Sequence, residues 1–345
     1  MNYLKTSHGF FTENVTNYND FANIVVSTGK DYTRAMGVLV FSILKNIKKP
    51  VAIHIFYNGK KLLQKEEERI KYLAYTWRCP INVYYLNNAE LEQLYTAKNI
   101  TIATYYRLLA PYILKEHKNI KRIVYFDVDM LCVNDISELF TVPLGDKVAY
   151  VVKGFTSIPE WWHQYCTSLG MKGKQYFNSG MLMIDTDNYI KMDVGNKAIA
   201  LALKKSYKYM DQDILNILLE GKIIFDTTCR YNCTMSVRNK EFLPKDVKII
   251  HFTGGKKPWK LYTANWSSFI HPQDESHSWK YQFYDLWRQY AMLSPWKDIP
   301  YDELMEYTEW RYLSQMQWKT GLYRQSVCSY FKYLRLKMIE LLKAK

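Results

Sequence analysis

The sequence lacks the cysteine and histidine patterns that build structural zinc sites, and it lacks apolar runs long enough to cross a membrane. Its six cysteines include no CxxC pair, and we interpret the stretch CRYNC (Cys229–Cys233) as a thiol-rich loop because no second pair accompanies it. Scattered thiols are typical of a reducing compartment. The first residues, MNYLKTSHGFFTENV, contain no basic segment followed by a long apolar one. We therefore expect a cytoplasmic protein.

Acidic residues are outnumbered, and the excess of positive charge predicts an anionic partner. The chain has 47 lysines and arginines against 33 aspartates and glutamates, a formal net charge of +14. The excess is concentrated at the C terminus, where Glu340 is the one acid after Arg311. Nucleic acid, an anionic membrane surface or a phosphorylated substrate would each suit this charge. Because no nucleic-acid-binding module is recognisable, we predict no nucleic-acid partner.

Strand and helix patterns alternate along the first part of the chain. The strand candidates are NIVVSTGKDY, VAIHIFYNG and INVYYL, followed later by RIVYF, KVAYVV, SGMLMID and KIIHF. Helical patterns separate the first three, which predicts a mostly parallel sheet flanked by helices, with ligands at the carboxyl ends of the strands. After about Pro272 the sequence becomes helical, aromatic and basic. We therefore predict an α/β domain over residues 1–275 and a helical C-terminal region over residues 276–345.

Three pairs of aspartates have one residue between their members: Asp127/Asp129, Asp185/Asp187 and Asp211/Asp213. Residues two apart in an extended chain point to the same side, so the two carboxylates of the first pair would repel and one would be pushed to take up a proton. A divalent cation such as Mg²⁺ or Mn²⁺ would remove that repulsion. A surface turn is the alternative, but the preceding RIVYF is apolar on both faces and predicts a central strand that ends in a ligand crevice. The other two pairs fit helix N-termini, where acids are favourable without chemistry.

Several motifs, in this order and spacing, resemble family 8 glycosyltransferases: IVVSTGKDYTRAMGVLVFSIL, YYRLLAPYIL, VYFDVDML, YFNSGMLMID, DQDILN and IIHFTGGKKPW. The segment NWSSFIHP and the later LWRQYAMLSPWKD resemble the bacterial branch that adds hexoses to the lipopolysaccharide outer core. The resemblance runs from about Asn23 to Asp298. It implies a Rossmann-like GT-A type fold, UDP-glucose or UDP-galactose as donor, Mn²⁺ or Mg²⁺ as cofactor, and transfer with retention to give an α-glycosidic bond.

The resemblance also implies roles for single residues. The implied metal ligands are Asp127, Asp129 and His251. The implied donor-binding residues are Thr28, Asp31, Tyr32, Arg107, Asp127, Val128, Asn178, Asp211, Gln212, Gly254 and Lys257. Within that set, Asp31 and Tyr32 would bind the uridine and Lys257 the diphosphate, while Arg107, Asn178, Asp211 and Gln212 would hold the transferred sugar. The chain departs from many members after its first strand, where Gly29 and Lys30 replace acidic residues.

The implied catalytic residues are Gln212, Asp211 and Asp213, with Gln212 on the reacting face of the sugar. An amide is a poor nucleophile, so a covalent intermediate on Gln212 is hard to support. We prefer front-face displacement, in which the leaving phosphate helps to deprotonate the acceptor hydroxyl. Asp213 is the fallback candidate for a nucleophile.

A helical stripe near the C terminus suggests a membrane contact. Its apolar residues are Val327, Tyr330, Phe331, Leu334, Met338, Leu341 and Leu342. Such a helix either packs on the domain or lies on an anionic membrane. The implied acceptor is a lipid-anchored, phosphorylated oligosaccharide, so we favour peripheral contact with the cytoplasmic face of the inner membrane.

The function predicted from these observations is metal-dependent, retaining hexosyl transfer to the lipopolysaccharide outer core. Two alternatives stay open: the same chemistry on a capsular or protein-linked glycan, and a catalytically inactive, membrane-associated glycan-binding protein.

Overall fold

The computed structural model describes residues 3–97, 100–154, 160–173, 175–235, 243–263 and 278–343. The chain divides into two compact units, Met1–His251 and Phe252–Lys345. The predicted domain boundary between residues 275 and 276 lies outside the described residues. All six cysteines are free thiols, and Cys328 is the exposed one among them.

The first unit contains all the strands of the described chain. They are β1 (Leu4–Phe10), β2 (Ala22–Gly29), β3 (Val51–Asn58), β4 (Ile81–Leu86), β5 (Arg122–Phe126), β6 (Met130–Cys132), β7 (Ala149–Lys153), β8 (Phe177–Asp185), β9 (Ile223–Asp226), β10 (Cys233–Thr234) and β11 (Ile249–His251). Its helices are α1 (Thr33–Asn46), α2 (Gln64–Thr76), α3 (Tyr106–Lys118), α4 (Glu160–Ser168), α5 (Thr186–Lys191), α6 (Val194–Lys204) and α7 (Met210–Leu218).

The main sheet has eight strands in the order β1-β4-β3-β2-β5-β8-β7-β9. Strands β1 and β8 run antiparallel to their neighbours, and the remaining pairs are parallel. The predicted mostly parallel sheet with flanking helices is therefore confirmed. Strand β1 was not predicted, because its sequence LKTSHGF is polar and lies largely exposed at the sheet edge. The central strand β5 is buried from Ile123 to Phe126, as the apolar run RIVYF predicted.

A small second sheet carries a distant part of the sequence to the end of β5. Its strand order is β10-β11-β6. Strand β11 pairs antiparallel with β6, so that His251 lies opposite Met130. His251 therefore reaches the turn that follows β5, although more than a hundred residues separate it from Asp129 in the sequence.

The second unit is helical in its described part, as predicted for the C-terminal region. Its helices are α8 (Ser278–Leu293), α9 (Tyr307–Lys319) and α10 (Tyr323–Lys343). Helices α9 and α10 pack together through a polar contact in which the Ser314 hydroxyl donates to the Ser326 carbonyl at 2.9 Å. The predicted apolar stripe of α10 is a different face, and its members are between 36% and 73% exposed. No helix in the described residues has the length and apolar content needed to span a bilayer.

Candidate metal and donor site

The candidate site lies where central strands of the main sheet end. Strand β5 ends at Phe126, which pairs with Val26 of β2, and Asp127 follows directly. Strand β2 ends at Gly29 and leads into a 3-10 turn over Lys30–Tyr32. Because carboxyl ends of parallel strands meet at one edge, the predicted uridine-binding residues Asp31 and Tyr32 lie at the same edge as Asp127. Thr28 is buried, Asp31 is exposed, and Val128 is partly buried between the two aspartates.

The three predicted metal ligands come together at this edge. One ligand atom from each of Asp127, Asp129 and His251 lies within 4.8 Å of the other two. The carboxylates are partly buried and His251 is buried. Two carboxylates and one imidazole form a mixed oxygen and nitrogen donor set, which fits a divalent cation. His251 Nε2 lies 3.1 Å from Asp129 Oδ1.

Arg107 lies between two carboxylates of the site. Its Nη2 donates to Asp127 Oδ1 at 2.8 Å, and its Nε lies 3.2 Å from Asp211 Oδ2. Its Nη1 donates to the Ser179 carbonyl at 2.6 Å, and the guanidinium stacks over the Tyr125 ring at 4.4 Å. The Arg107 side chain is 4% exposed. Its contacts with Asp127 and Asp211 hold both carboxylates in place. Its predicted role in holding the sugar stays a prediction.

Asp211 is buried at the start of α7, and two effects on its carboxyl oppose each other. Burial, which raises its pKa, outweighs the neighbouring Arg107, which lowers it, and the pKa of Asp211 is raised to about 6. Its Oδ1 also accepts a hydrogen bond from the Thr104 hydroxyl at 3.1 Å. Through these contacts the Asp211 carboxyl holds the side chains of Arg107 and Thr104 in place.

Gln212 is held in one orientation by three neighbours. Its Oε1 accepts from Asn178 Nδ2 at 3.0 Å and from the Ser179 backbone N–H at 3.1 Å. Its Nε2 donates to the Tyr176 hydroxyl at 3.1 Å. Two predicted sugar-contact residues, Asn178 and Gln212, are thus directly bonded to each other.

Asp213 is buried and its carboxylate is fully engaged. The Tyr176 hydroxyl donates to Oδ1 at 2.5 Å, and the Tyr165 hydroxyl and the Tyr209 backbone N–H donate to Oδ2 at 2.6 and 2.9 Å. Burial raises the pKa of Tyr176 well above its ordinary value, and the Asp213 charge adds to that rise. Asp213 thereby anchors the tyrosine that orients Gln212. This position favours a supporting role over the predicted fallback nucleophile.

The remaining predicted donor-binding residues, Gly254 and Lys257, belong to the second compact unit. Gly254 has φ +81°, a conformation that favours glycine, and a Cβ there would meet nothing within 4 Å. Lys257 is 9% exposed and donates from Nζ to the Phe252 carbonyl at 2.5 Å.

Two residues that sequence reasoning missed contact the predicted metal ligands. Asn232, within the CRYNC stretch, lies 2.8 Å from His251 Nδ1 through its Oδ1. Gly180 lies so close that an added Cβ would be 2.5 Å from His251 Cε1 and 2.9 Å from Asp127 Oδ2. A glycine inside a strand pattern often marks such a close approach, so Gly180 carried a usable signal. Asn232 carried none.

Comparisons with known proteins identify a matching family and several relatives. The model of the family described as Glycosyl transferase family 8 matches residues 23–263. Lipopolysaccharide glucosyltransferase WaaO of Escherichia coli (strain K12) is 30% identical over 329 residues, which cover 90% of this chain and 89% of that protein. Lipopolysaccharide 1,3-galactosyltransferase of Salmonella typhimurium is 26% identical over 335 residues, with 93% of each chain covered.

The fold also matches a solved glycosyltransferase. The crystal structure of the galactosyltransferase LgtC with donor and acceptor sugar analogues has a TM-score of 0.63 and 20% identity, covering 81% of this chain and 97% of that one. At this identity the likeness concerns the fold, and it confirms the predicted GT-A type architecture.

Proposed function

The chain belongs to glycosyl transferase family 8 and is a glycosyltransferase, and we propose that it moves glucose or galactose from a UDP-sugar to the outer core of a lipopolysaccharide. We propose further that transfer depends on a divalent cation and retains the configuration of the sugar. The observation that carries the proposal is the meeting of Asp127, Asp129 and His251 at the carboxyl edge of the sheet. Relatives named as lipopolysaccharide glucosyl- and galactosyltransferases support the choice of acceptor.

The three ligand residues would hold Mn²⁺ or Mg²⁺. When bound, the cation would neutralise the negative charge that grows on the departing UDP. Arg107 keeps the Asp127 carboxylate oriented through its bond to Oδ1, which leaves the other oxygen for the cation. The roles of Lys257 and Gly254 at the diphosphate, which the family resemblance implies, stay predictions.

The environment of Gln212 favours front-face displacement over a covalent intermediate. Its Oε1 already accepts two hydrogen bonds, and an amide is a weak nucleophile. Asp213 is buried and has both carboxylate oxygens engaged. In the proposed step the bond between the sugar C1 and the diphosphate oxygen breaks, and the acceptor oxygen bonds to C1 on the same face. The hydroxyl proton passes to the departing phosphate oxygen.

We propose that α10 makes a peripheral contact with the cytoplasmic face of the inner membrane through its exposed apolar side chains. The side chains of Phe331, Met338 and Leu342 are 66%, 60% and 73% exposed. Lys332 and Arg335 lie on the same helix and would attract an anionic surface. A lipid-anchored acceptor would be presented at such a surface.

Donor hydrolysis tests the proposed chemistry. We would incubate the chain with UDP-glucose or UDP-galactose, with and without Mn²⁺, and measure free UDP. Turnover should require the cation and disappear in Asp129→Ala. Asp187→Ala is a matched control, because Asp187 belongs to another DxD pair and forms a surface ion pair with Lys115 at 2.7 Å. Absence of cation-dependent turnover of either donor, with no effect of Asp129→Ala, would refute the proposal.

Adding purified truncated core oligosaccharides then tests the acceptor against capsular and protein-linked glycans.

A further inference from the structure

We propose that Asn232 is a positioning residue for the metal site: it fixes the proton of His251 on Nδ1, so that the Nε2 lone pair faces the space shared with Asp129. This inference rests on the proposed function, because it concerns the same site. It assigns a role to the CRYNC stretch that its sequence did not suggest.

The argument starts from a donor whose identity is fixed. The backbone N–H of Gly180 donates to Asn178 Oδ1 at 3.0 Å, so this atom of the Asn178 amide must be the oxygen. The other atom, Nδ2, then donates to Gln212 Oε1 at 3.0 Å. The Ser179 backbone N–H donates to the same Gln212 oxygen at 3.1 Å, which agrees with this orientation. The backbone N–H groups of Gly180 and Ser179 thus establish which atom is the oxygen in the side-chain amides of Asn178 and Gln212.

The orientation of Asn232 follows from that of Asn178. Asn232 Nδ2 lies 2.9 Å from Asn178 Oδ1, and because that oxygen can only accept, Asn232 donates to it with its NH₂ group. The Asn232 oxygen is therefore the atom 2.8 Å from His251 Nδ1. A carbonyl oxygen accepts hydrogen bonds, so Nδ1 of His251 must carry the proton.

The tautomer has a direct consequence for metal binding. A neutral imidazole with its proton on Nδ1 has a free lone pair on Nε2. His251 Nε2 lies 3.1 Å from Asp129 Oδ1. Two lone pairs at this distance repel each other unless a proton or a metal cation lies between them, and a divalent cation bound to both atoms would remove that repulsion. The opposite tautomer would point a proton at the position of the cation, and partners that fix the tautomer of a ligating histidine commonly control metal affinity.

The fold holds Asn232 rigidly beside its target. Its side chain is 1% exposed, and its backbone N–H donates to the Cys229 carbonyl at 3.2 Å. Strand β10 begins at the next residue and pairs with β11, placing Thr234 opposite His251. Asn232 therefore directly precedes a strand of the small sheet that contains His251.

Metal affinity is the first test. We would titrate Mn²⁺ into the chain, alone and with UDP, and follow free Mn²⁺ by electron paramagnetic resonance. Asn232→Leu should weaken binding about 10- to 100-fold. Asn232→Asp keeps an acceptor facing Nδ1 but loses the donor to Asn178 Oδ1, so it should bind Mn²⁺ more tightly than Asn232→Leu. Asn82→Leu is the matched control, because Asn82 is also buried but lies near the amino end of β4, where it accepts from the Tyr18 hydroxyl at 3.2 Å. It should leave Mn²⁺ affinity unchanged.

The second test reads the tautomer in the unaltered chain. Labelling the histidines with ¹⁵N, with Mg²⁺ and UDP present, allows NMR to identify which ring nitrogen of His251 carries hydrogen, and His251→Gln assigns the signal. Hydrogen on Nδ1 alone supports the inference. Hydrogen on Nε2, or wild-type Mn²⁺ affinity in folded Asn232→Leu, overturns it while leaving the metal site intact. A wild-type chain that binds no Mn²⁺, alone or with UDP, overturns the metal site and this inference together.

Discussion

Gly180 gives the sharpest test of the site's geometry, because one added methyl group would meet three of its residues. A Cβ on Gly180 would lie 2.5 Å from His251 Cε1, 2.8 Å from Asn178 Oδ1 and 2.9 Å from Asp127 Oδ2. Two of these residues are predicted metal ligands. Gly180 also fixes the backbone here, since its carbonyl accepts the Asp127 backbone N–H at 2.8 Å.

The magnitude follows from ordinary contact distances. Carbon atoms pack at about 3.5 to 4.0 Å, so the imidazole of His251 would have to move by roughly 1 Å in Gly180→Ala. Ligand distances in metal sites tolerate only about ±0.2 Å. We therefore expect Mn²⁺ affinity to fall at least as far as on loss of an outer-shell partner, about 10- to 100-fold. The overpacking itself should lower the free energy of unfolding by about 1 to 3 kcal/mol.

The assay pairs Mn²⁺ titration with urea denaturation, and Gly9→Ala serves as control. A Cβ on Gly9 would lie 2.7 Å from Thr12 Cγ2, so that variant is also overpacked, but it lies on the edge strand β1. It should lose stability and keep its Mn²⁺ affinity. If folded Gly180→Ala binds Mn²⁺ as tightly as wild type, the cation does not bind at Asp127 and His251, and the reasoning fails.

Three further predictions concern other parts of the chain. Asp213→Asn should lower the free energy of unfolding by about 1 to 3 kcal/mol, because an amide cannot accept all the hydrogen bonds that the carboxylate oxygens accept. Transfer should persist in this variant. Complete loss of turnover in the folded variant would restore Asp213 as the candidate nucleophile. Burial lowers the pKa of His54 from 6.5 to about 3, so the folded chain binds fewer protons than the unfolded chain below pH 6.5. The free energy of unfolding should therefore fall by about 2 kcal/mol from this group between pH 8 and pH 5, and urea denaturation of His54→Gln should lack that loss. The double variant Lys332→Glu/Arg335→Glu should cosediment with anionic vesicles less than wild type does, whereas Lys204→Glu should cosediment as wild type does. If the two variants bind the vesicles equally, α10 is a packing element.

Local patterns predicted the parts of this fold that depend on local sequence. The alternation of strands and helices and the burial of RIVYF both follow from periodicity within a few residues, and so does the projection of Asp127 and Asp129 to one side. The edge strand β1 escaped prediction because its exposed position imposes little apolar pattern on LKTSHGF.

The rest of the site depends on contacts between distant residues. His251 joins the aspartates through the pairing of β11 with β6, and no spacing within the sequence encodes that pairing. The family resemblance supplied it instead. The bond of Asn232 to His251 and the contacts of Arg107 with Asp127 and Asp211 are of the same kind. Residue type alone cannot distinguish such a partner from an ordinary buried polar side chain.

The placement of Arg107 also bears on the order in which ligands enter. Asp127, Asp129 and Asp211 carry three negative charges, and Arg107 offsets one of them. The two remaining charges would repel a bare nucleotide diphosphate, and a divalent cation would cancel them. We therefore expect UDP alone to bind weakly and the cation to arrive first or already bound to the nucleotide. Product release would be subject to the same balance, since a cation left behind would favour the rebinding of UDP.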